Sequence, residues 1–126
     1  MTELRDRIQT VVSDEPVALF MKGTPGFIMC GNSDRALRAL RGAGAPVTAV
    51  NILPDPRIRQ ELSGISNWPT IPQLFYKGEL VGGCDIVTEM YETGELAQTL
   101  GVEQPEAPLE EPAVAPRPMG IENRLS

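Results

Sequence analysis

Val17-Ala-Leu-Phe-Met21 is a run without a polar side chain. Side chains on a strand alternate between faces, so a run that is apolar at every position needs cover on both sides. Such a strand belongs in the middle of a sheet with helices above and below it. The flanking sequence supplies those helices. Upstream, Leu4, Ile8, Val11 and Val12 share one face of a helix predicted over residues 2–13, with Thr2 as N-cap and Asp14-Glu15-Pro16 ending it. Downstream, a second helix starts near Gly31 and carries Ala36, Leu37, Ala39 and Leu40 inward until Gly42-Ala-Gly44 stops it.

Residues 47–52 alternate as a second strand. Asp55-Pro56, an N-cap followed by proline at the first helical position, opens a short helix that Gly64 is expected to break. Asn67-Trp-Pro-Thr-Ile-Pro72 cannot be helical, because each proline forces extended backbone before it. Residues 73–76 and 79–81, joined by Lys77-Gly78, predict a hairpin. Asp85 is the expected N-cap of a last helix that carries Ile86, Val87, Met90 and Tyr91 past Gly94 to about Leu100. The order α-β-α-β-α-β-β-α predicts an α/β fold with a four-stranded mixed sheet between helices.

From Val102 the composition changes. Residues 102–126 hold five prolines and five Glu against two Arg. Such a segment cannot bury enough apolar surface to offset its ordering entropy. The expected organisation is therefore one domain, 1–101, and a disordered tail, 102–126.

The absences restrict the chemistry. The chain has no histidine, so Cys–His and Ser–His–Asp nucleophile systems are excluded. Two cysteines, Cys30 and Cys84, cannot build a four-cysteine metal site within one chain. They allow at most one disulfide, which is no scaffold. The net charge of −6 argues against a nucleic-acid partner. No apolar run approaches a membrane span of about 20 residues, and the cytoplasm is the expected compartment.

Cys30 then stands out. Lys22-Gly-Thr-Pro-Gly-Phe-Ile-Met-Cys30 connects the apolar strand to the second helix, which places the sulfur at a helix mouth. Unpaired N–H groups and the helix dipole stabilise an anion there, and the thiolate is the reactive and metal-binding form. Ser33 occupies the position where a dithiol motif would have its second cysteine. Any disulfide chemistry must therefore use an external thiol or the distant Cys84. Trp68 is read as packing, and Gly82-Gly83 as a place of close backbone approach.

Phe20-Met-Lys-Gly-Thr-Pro25, Cys30-Gly-Asn-Ser33, Ile58-Arg-Gln60, Asn67-Trp-Pro-Thr-Ile-Pro-Gln-Leu74 and Gly78-Glu-Leu-Val-Gly-Gly-Cys-Asp-Ile-Val87 occur in this order over roughly residues 1–100. With them the chain resembles a monothiol glutaredoxin of the thioredoxin-like superfamily. The family motif at the thiol is Cys-Gly-Phe-Ser; Asn32 replaces the phenylalanine, and Ile28 stands where many relatives have proline. The resemblance implies a thioredoxin-like fold and a glutathione site. In it Lys22 and Arg59 lie near the glycyl carboxylate, with Arg57 competing for that place. Ile71-Pro72 forms the cis-proline loop whose backbone pairs with the ligand. Cys84 and Asp85 bind the γ-glutamyl carboxylate through their N–H groups, and the Asp85 carboxylate pairs with the ammonium.

Three functions follow from the resemblance. The first is a carrier of a 2Fe-2S cluster, ligated by Cys30 of two subunits and two glutathiones. It would be a homodimer when loaded, with BolA-type proteins and iron–sulfur recipient proteins as partners. The second is a glutathione-dependent thiol–disulfide oxidoreductase using Cys30, with weak activity at most. The third is a cluster-less regulatory module in which Asn32 has ended cluster binding.

Overall fold

The computed structural model describes residues 3–101 and 114–117. The apolar run forms β1 (Val17–Met21), and every one of its residues is buried. Parallel to it lies β4 (Val47–Asn51), paired Ala18 to Thr48 and Met21 to Asn51. On its other side, antiparallel, lies β5 (Gln73–Tyr76), which turns into β6 (Glu79–Gly82). Lys77 and Gly78 both have positive φ, 50° and 87°, as a tight two-residue hairpin turn requires. A register shift between Leu74 and Phe75 marks a bulge in this hairpin. The four-stranded mixed sheet is therefore ordered β6-β5-β1-β4, in a thioredoxin-like fold.

Among the described residues, five helices cover it: α1 (Glu3–Asp14), α2 (Gly31–Gly42), α3 (Pro56–Ser66), α4 (Cys84–Thr93) and α5 (Glu95–Thr99). The alternation of β1 divides the core. Val17, Leu19 and Met21 join Leu37, Leu40, Val87 and Leu96 from α2, α4 and α5. Ala18 and Phe20 join Ile8, Val11, Ile58 and Leu62 from α1 and α3, where the Phe20 ring meets Phe75 edge-on at 5.6 Å. Arg5 Nε donates to Glu61 Oε1 at 2.8 Å and ties α1 to α3.

Several expectations need correction. Gly64 does not end α3; the helix runs on to Ser66, and Asn67 caps it with φ 58°. The Arg5 guanidinium lies over this glycine, 2.5 Å from where a Cβ would stand. The last helix is two helices, divided at Gly94 (φ 85°). Its N-cap is Gly83, so Cys84 is its first residue and Asp85 lies within its first turn. The Thr2 cap lies outside the described residues. Between β1 and α2, read only as loop, Gly23–Thr24 (β2) and Phe27–Ile28 (β3) form a small hairpin.

The segment read as a tail also contributes. Val114–Pro116 (β7) pairs in parallel with β4, Val47 to Val114 and Ala49 to Pro116, and adds a fifth strand at the sheet edge. The rest of 102–126 lies outside the described residues.

Candidate functional site

Helix α2 starts one residue after Cys30, which is its N-cap with extended backbone (φ −145°, ψ 129°). A residue in that position projects its side chain across the open N–H groups of the first turn. Burial of the half-buried thiol pushes its pKa up. The backbone N–H groups of Ser33 and Asn32, the Ser33 side chain and the Lys22 charge together outweigh that burial, and the pKa is lowered from its ordinary value. Lys22 reaches this field because its own backbone is fastened to α2: its N–H donates to Ser33 Oγ at 3.1 Å. Ser33 is completely buried.

The flank of the thiol is apolar and exposed. Phe27 and Met29, from the hairpin leading to Cys30, are 71% and 57% exposed. Gly23, at the other end of this hairpin, has φ 103° and donates its N–H to Asn51 Oδ1 at 2.9 Å. A Cβ on Gly23 would lie 2.5 Å from the Phe27 carbonyl oxygen, so the hairpin closes only around glycine.

Two residues beyond the thiol, Asn32 borders an open groove of about 350 Å³. Asn32 forms the wall nearest α2, Trp68 and residues 70–72 form a second, and residues 83–86 at the start of α4 form the third. Cys30 itself is not among these walls. The structure thus gathers Asn32, Ile71, Cys84 and Asp85 on one groove. Ile71 is buried, and the Ile71–Pro72 bond is cis. Cys84 is buried with its sulfur 3.9 Å from Thr88 Oγ1, while Asp85 is exposed. Both cysteines are free thiols.

Arg59 stands in a neighbouring, more open depression with Pro69, and donates to the Pro69 carbonyl at 3.3 Å. Its competitor Arg57 is held by the N-cap carboxylate, with Nε 3.0 Å from Asp55 Oδ2. Arg59, not Arg57, is thus turned toward the loop that walls the groove.

Two site residues went unnoticed in the sequence. Gln73 is completely buried at the start of β5 and donates from Nε2 to the carbonyls of Trp68 and Thr70 at 2.9 and 3.1 Å. It fixes the loop that carries Ile71. A polar residue opening an otherwise apolar strand was the available signal. Ser33 shows in the sequence only as a position without a thiol, and nothing there pairs it with Lys22. Among the described residues, no group of three or more Cys, Asp or Glu side chains is arranged to hold a metal ion. No helix among them is long and apolar enough to cross a membrane.

The glutaredoxin family profile matches residues 17–81. Glutaredoxin 4 of Pasteurella multocida is 51% identical over 98 residues, which cover 78% of this chain and 89% of that protein. The chain belongs to the glutaredoxin family. Within it, the chain is of monothiol type. Monothiol glutaredoxin-S11 of rice is 53% identical over 97 residues, covering 77% of this chain. The matched part is only 20% of that plant protein's length. The solution structure of reduced apo GrxS14 from poplar aligns with a TM-score of 0.69 at 44% identity, covering 78% of this chain and 90% of that one. A crystal structure of a buckwheat glutaredoxin–glutathione complex aligns with a TM-score of 0.68 at 25% identity, covering 80% and 94%.

Proposed function

We propose that this glutaredoxin binds glutathione in the groove beside Cys30 and carries a 2Fe-2S cluster as cargo between two copies of itself. The observation that carries the reading is the inequality of the two sulfurs. One thiol is half-exposed and poised toward thiolate, the other is buried, and no second thiol stands next to the first. A cluster of this kind takes four thiolate ligands. One chain offers one, glutathione a second, and a second such pair completes the set. The donor set fits the cargo only in that shared form. The exposed Phe27 and Met29 beside the thiol give a second copy an apolar surface to meet.

In this reading glutathione lies along the groove. The first-turn N–H groups of Cys84 and Asp85 bind its γ-glutamyl carboxylate, and the Asp85 carboxylate pairs with its ammonium. Ile71 offers extended backbone to the peptide, and Lys22 and Arg59 face the glycyl carboxylate. The likeness to the buckwheat glutathione complex supports this placement. BolA-type proteins and iron–sulfur recipient proteins are the proposed partners.

The test is anaerobic reconstitution with iron, sulfide and glutathione. Wild type should give a coloured dimer with about two irons per dimer, and omission of glutathione should prevent it. A colourless wild type, or a coloured Cys30→Ser variant, would end the carrier reading.

The depressed Cys30 pKa also favours a second reading, glutathione-dependent disulfide reduction. The Cys30 thiolate would attack the glutathione sulfur of a mixed disulfide and release the client thiol. A second glutathione thiolate would then attack the Cys30–glutathione disulfide, giving oxidised glutathione and free Cys30. Turnover of a glutathionylated peptide without any colour on reconstitution would favour this reading over the first.

A further inference from the structure

We propose that the edge of β4, together with the acidic pair Asp14–Glu15, is a docking surface for an extended protein segment that carries a Pro-Arg pair. Val114–Arg117 is its resident and exchangeable occupant. A sheet edge presents a row of unpaired N–H and C=O groups and is a template for another strand. Here β7 takes that row in parallel, and the Arg117 N–H donates to the Ala49 carbonyl at 2.9 Å. That bond puts residues 115 and 117 on the bonding side, so the nitrogen of Pro116, which has no hydrogen, faces away from β4. The segment can therefore pair inward but offers a poor template outward.

Arginine supplies the address. The Arg117 guanidinium bonds Glu15 and lies 3.6 Å from Asp14, and Glu15 also accepts from Thr48 Oγ1 of β4 at 2.9 Å. The carboxylate is thus pre-aimed by the strand that the occupant joins. The occupant also touches the thiol loop. Pro116 and Arg117 line a pocket of about 120 Å³ with Gly23, Thr24, Pro25 and Asn51. A partner segment in this place would hold its owner beside the hairpin that leads to Cys30.

Reach permits the chain to fill its own edge. A Cβ on Gly101 would lie 3.3 Å from the Tyr76 hydroxyl, and Tyr76 pairs with Val17 at the end of the sheet where Val47 pairs with Val114. Three strand spacings are about 15 Å, whereas residues 102–113 reach about 40 Å when extended. The occupant is nevertheless short, and short edge strands open most readily.

The experiment uses the full chain and a fluorescent peptide with the sequence of residues 113–118. Wild type should bind it poorly, because its own tethered segment competes at an effective concentration near millimolar. Full-length Arg117→Glu should bind it at least about tenfold more tightly, since the tethered competitor has lost its grip. The peptide with glutamate in place of its arginine should bind neither protein. Equal affinity for both proteins, or binding of the glutamate peptide, would overturn the proposal. In wild type alone, the Arg117 amide should exchange more slowly than in the free peptide; exchange at the free-peptide rate would overturn it as well.

Discussion

Cys30 and Cys84 both stand where a strand runs into a helix, one position apart in helical register. Cys30 is the N-cap of α2, and its sulfur receives the field of the Asn32 and Ser33 N–H groups. Cys84 is the first residue of α4, after the Gly83 cap, and its sulfur turns into the protein toward Thr88. The first mouth therefore offers a side-chain nucleophile. The second offers backbone N–H groups and the Asp85 carboxylate. One step of register separates a half-exposed sulfur with lowered pKa from a buried one.

The widest consequence is in thiol reactivity. With iodoacetamide at neutral pH, Cys30 should alkylate at least about 100-fold faster than Cys84, because the buried thiol reacts only through local opening. Peptide mapping of the labelled protein reads the two sites separately. Comparable rates would break the contrast. Cys84→Ser should also leave the Cys30 rate unchanged.

The two mouths should differ in their tolerance of a methyl group. A Cβ at Gly83 would meet Trp68 Nε1 at 2.9 Å and the Pro72 carbonyl oxygen at 3.3 Å, whereas at Gly31 nothing lies within 4 Å. Gly83→Ala should cost about 1–3 kcal/mol, as overpacking does, and should weaken glutathione binding by closing the groove. Gly31→Ala should be neutral or stabilising by up to about 1 kcal/mol. Thermal midpoints of both variants make the comparison. A harmless Gly83→Ala would mean that the Trp68 wall yields.

A third comparison sharpens the account of Cys30 itself. Because its pKa is lowered, the thiolate persists at lower pH than in an unstructured peptide, and the alkylation rate should fall only below that lower midpoint. Ser33→Ala removes one of the bonds that hold the anion and frees the Lys22 N–H. The midpoint of the rate–pH curve should move upward. An unmoved midpoint would assign the shift to the backbone N–H groups and the Lys22 charge.

The sequence revealed the fold far better than it revealed the fastenings of the site. An unbroken apolar run predicted β1 at the centre, and β1 lies between two separate apolar clusters. The helix-mouth position of Cys30 followed equally directly from strand–loop–helix order. Three features stayed hidden because they depend on three-dimensional contacts rather than on local periodicity. Gly64 looked like a helix stop, yet α3 runs through it to Ser66, beneath the Arg5 side chain of another helix. Gln73, itself buried, fastens the loop before it through the Trp68 and Thr70 carbonyls, a geometry that composition cannot convey. The Pro/Glu-rich composition of 102–126 bears only on whether such a segment could build a core of its own. It says nothing of four residues borrowing the edge of β4.

Asn32 stands between the two mouths, exposed in the first turn of α2 and on the wall of the groove that α4 completes. It therefore bears on both halves of the comparison, but weakly. In the family motif the position is phenylalanine, whose ring would spread apolar surface over the groove and toward a second copy. Asparagine leaves that surface polar and open to water. Solvent access and hydrogen bonds to sulfur tune cluster stability. A fully buried phenylalanine is worth about 1.5–3 kcal/mol. At an exposed position such as this only a fraction is available, so the effect should stay below about tenfold, the factor that 1.4 kcal/mol represents. We expect the cluster of wild type to decay in air a few-fold faster than that of Asn32→Phe at equal glutathione. Glutathione affinity of the unloaded protein should change little, since the anion and backbone contacts lie on the other walls. If the loaded wild type decays as slowly as the variant, shielding is not what residue 32 contributes. If instead the unloaded affinities differ strongly, Asn32 belongs to the glutathione groove and not to the dimer face.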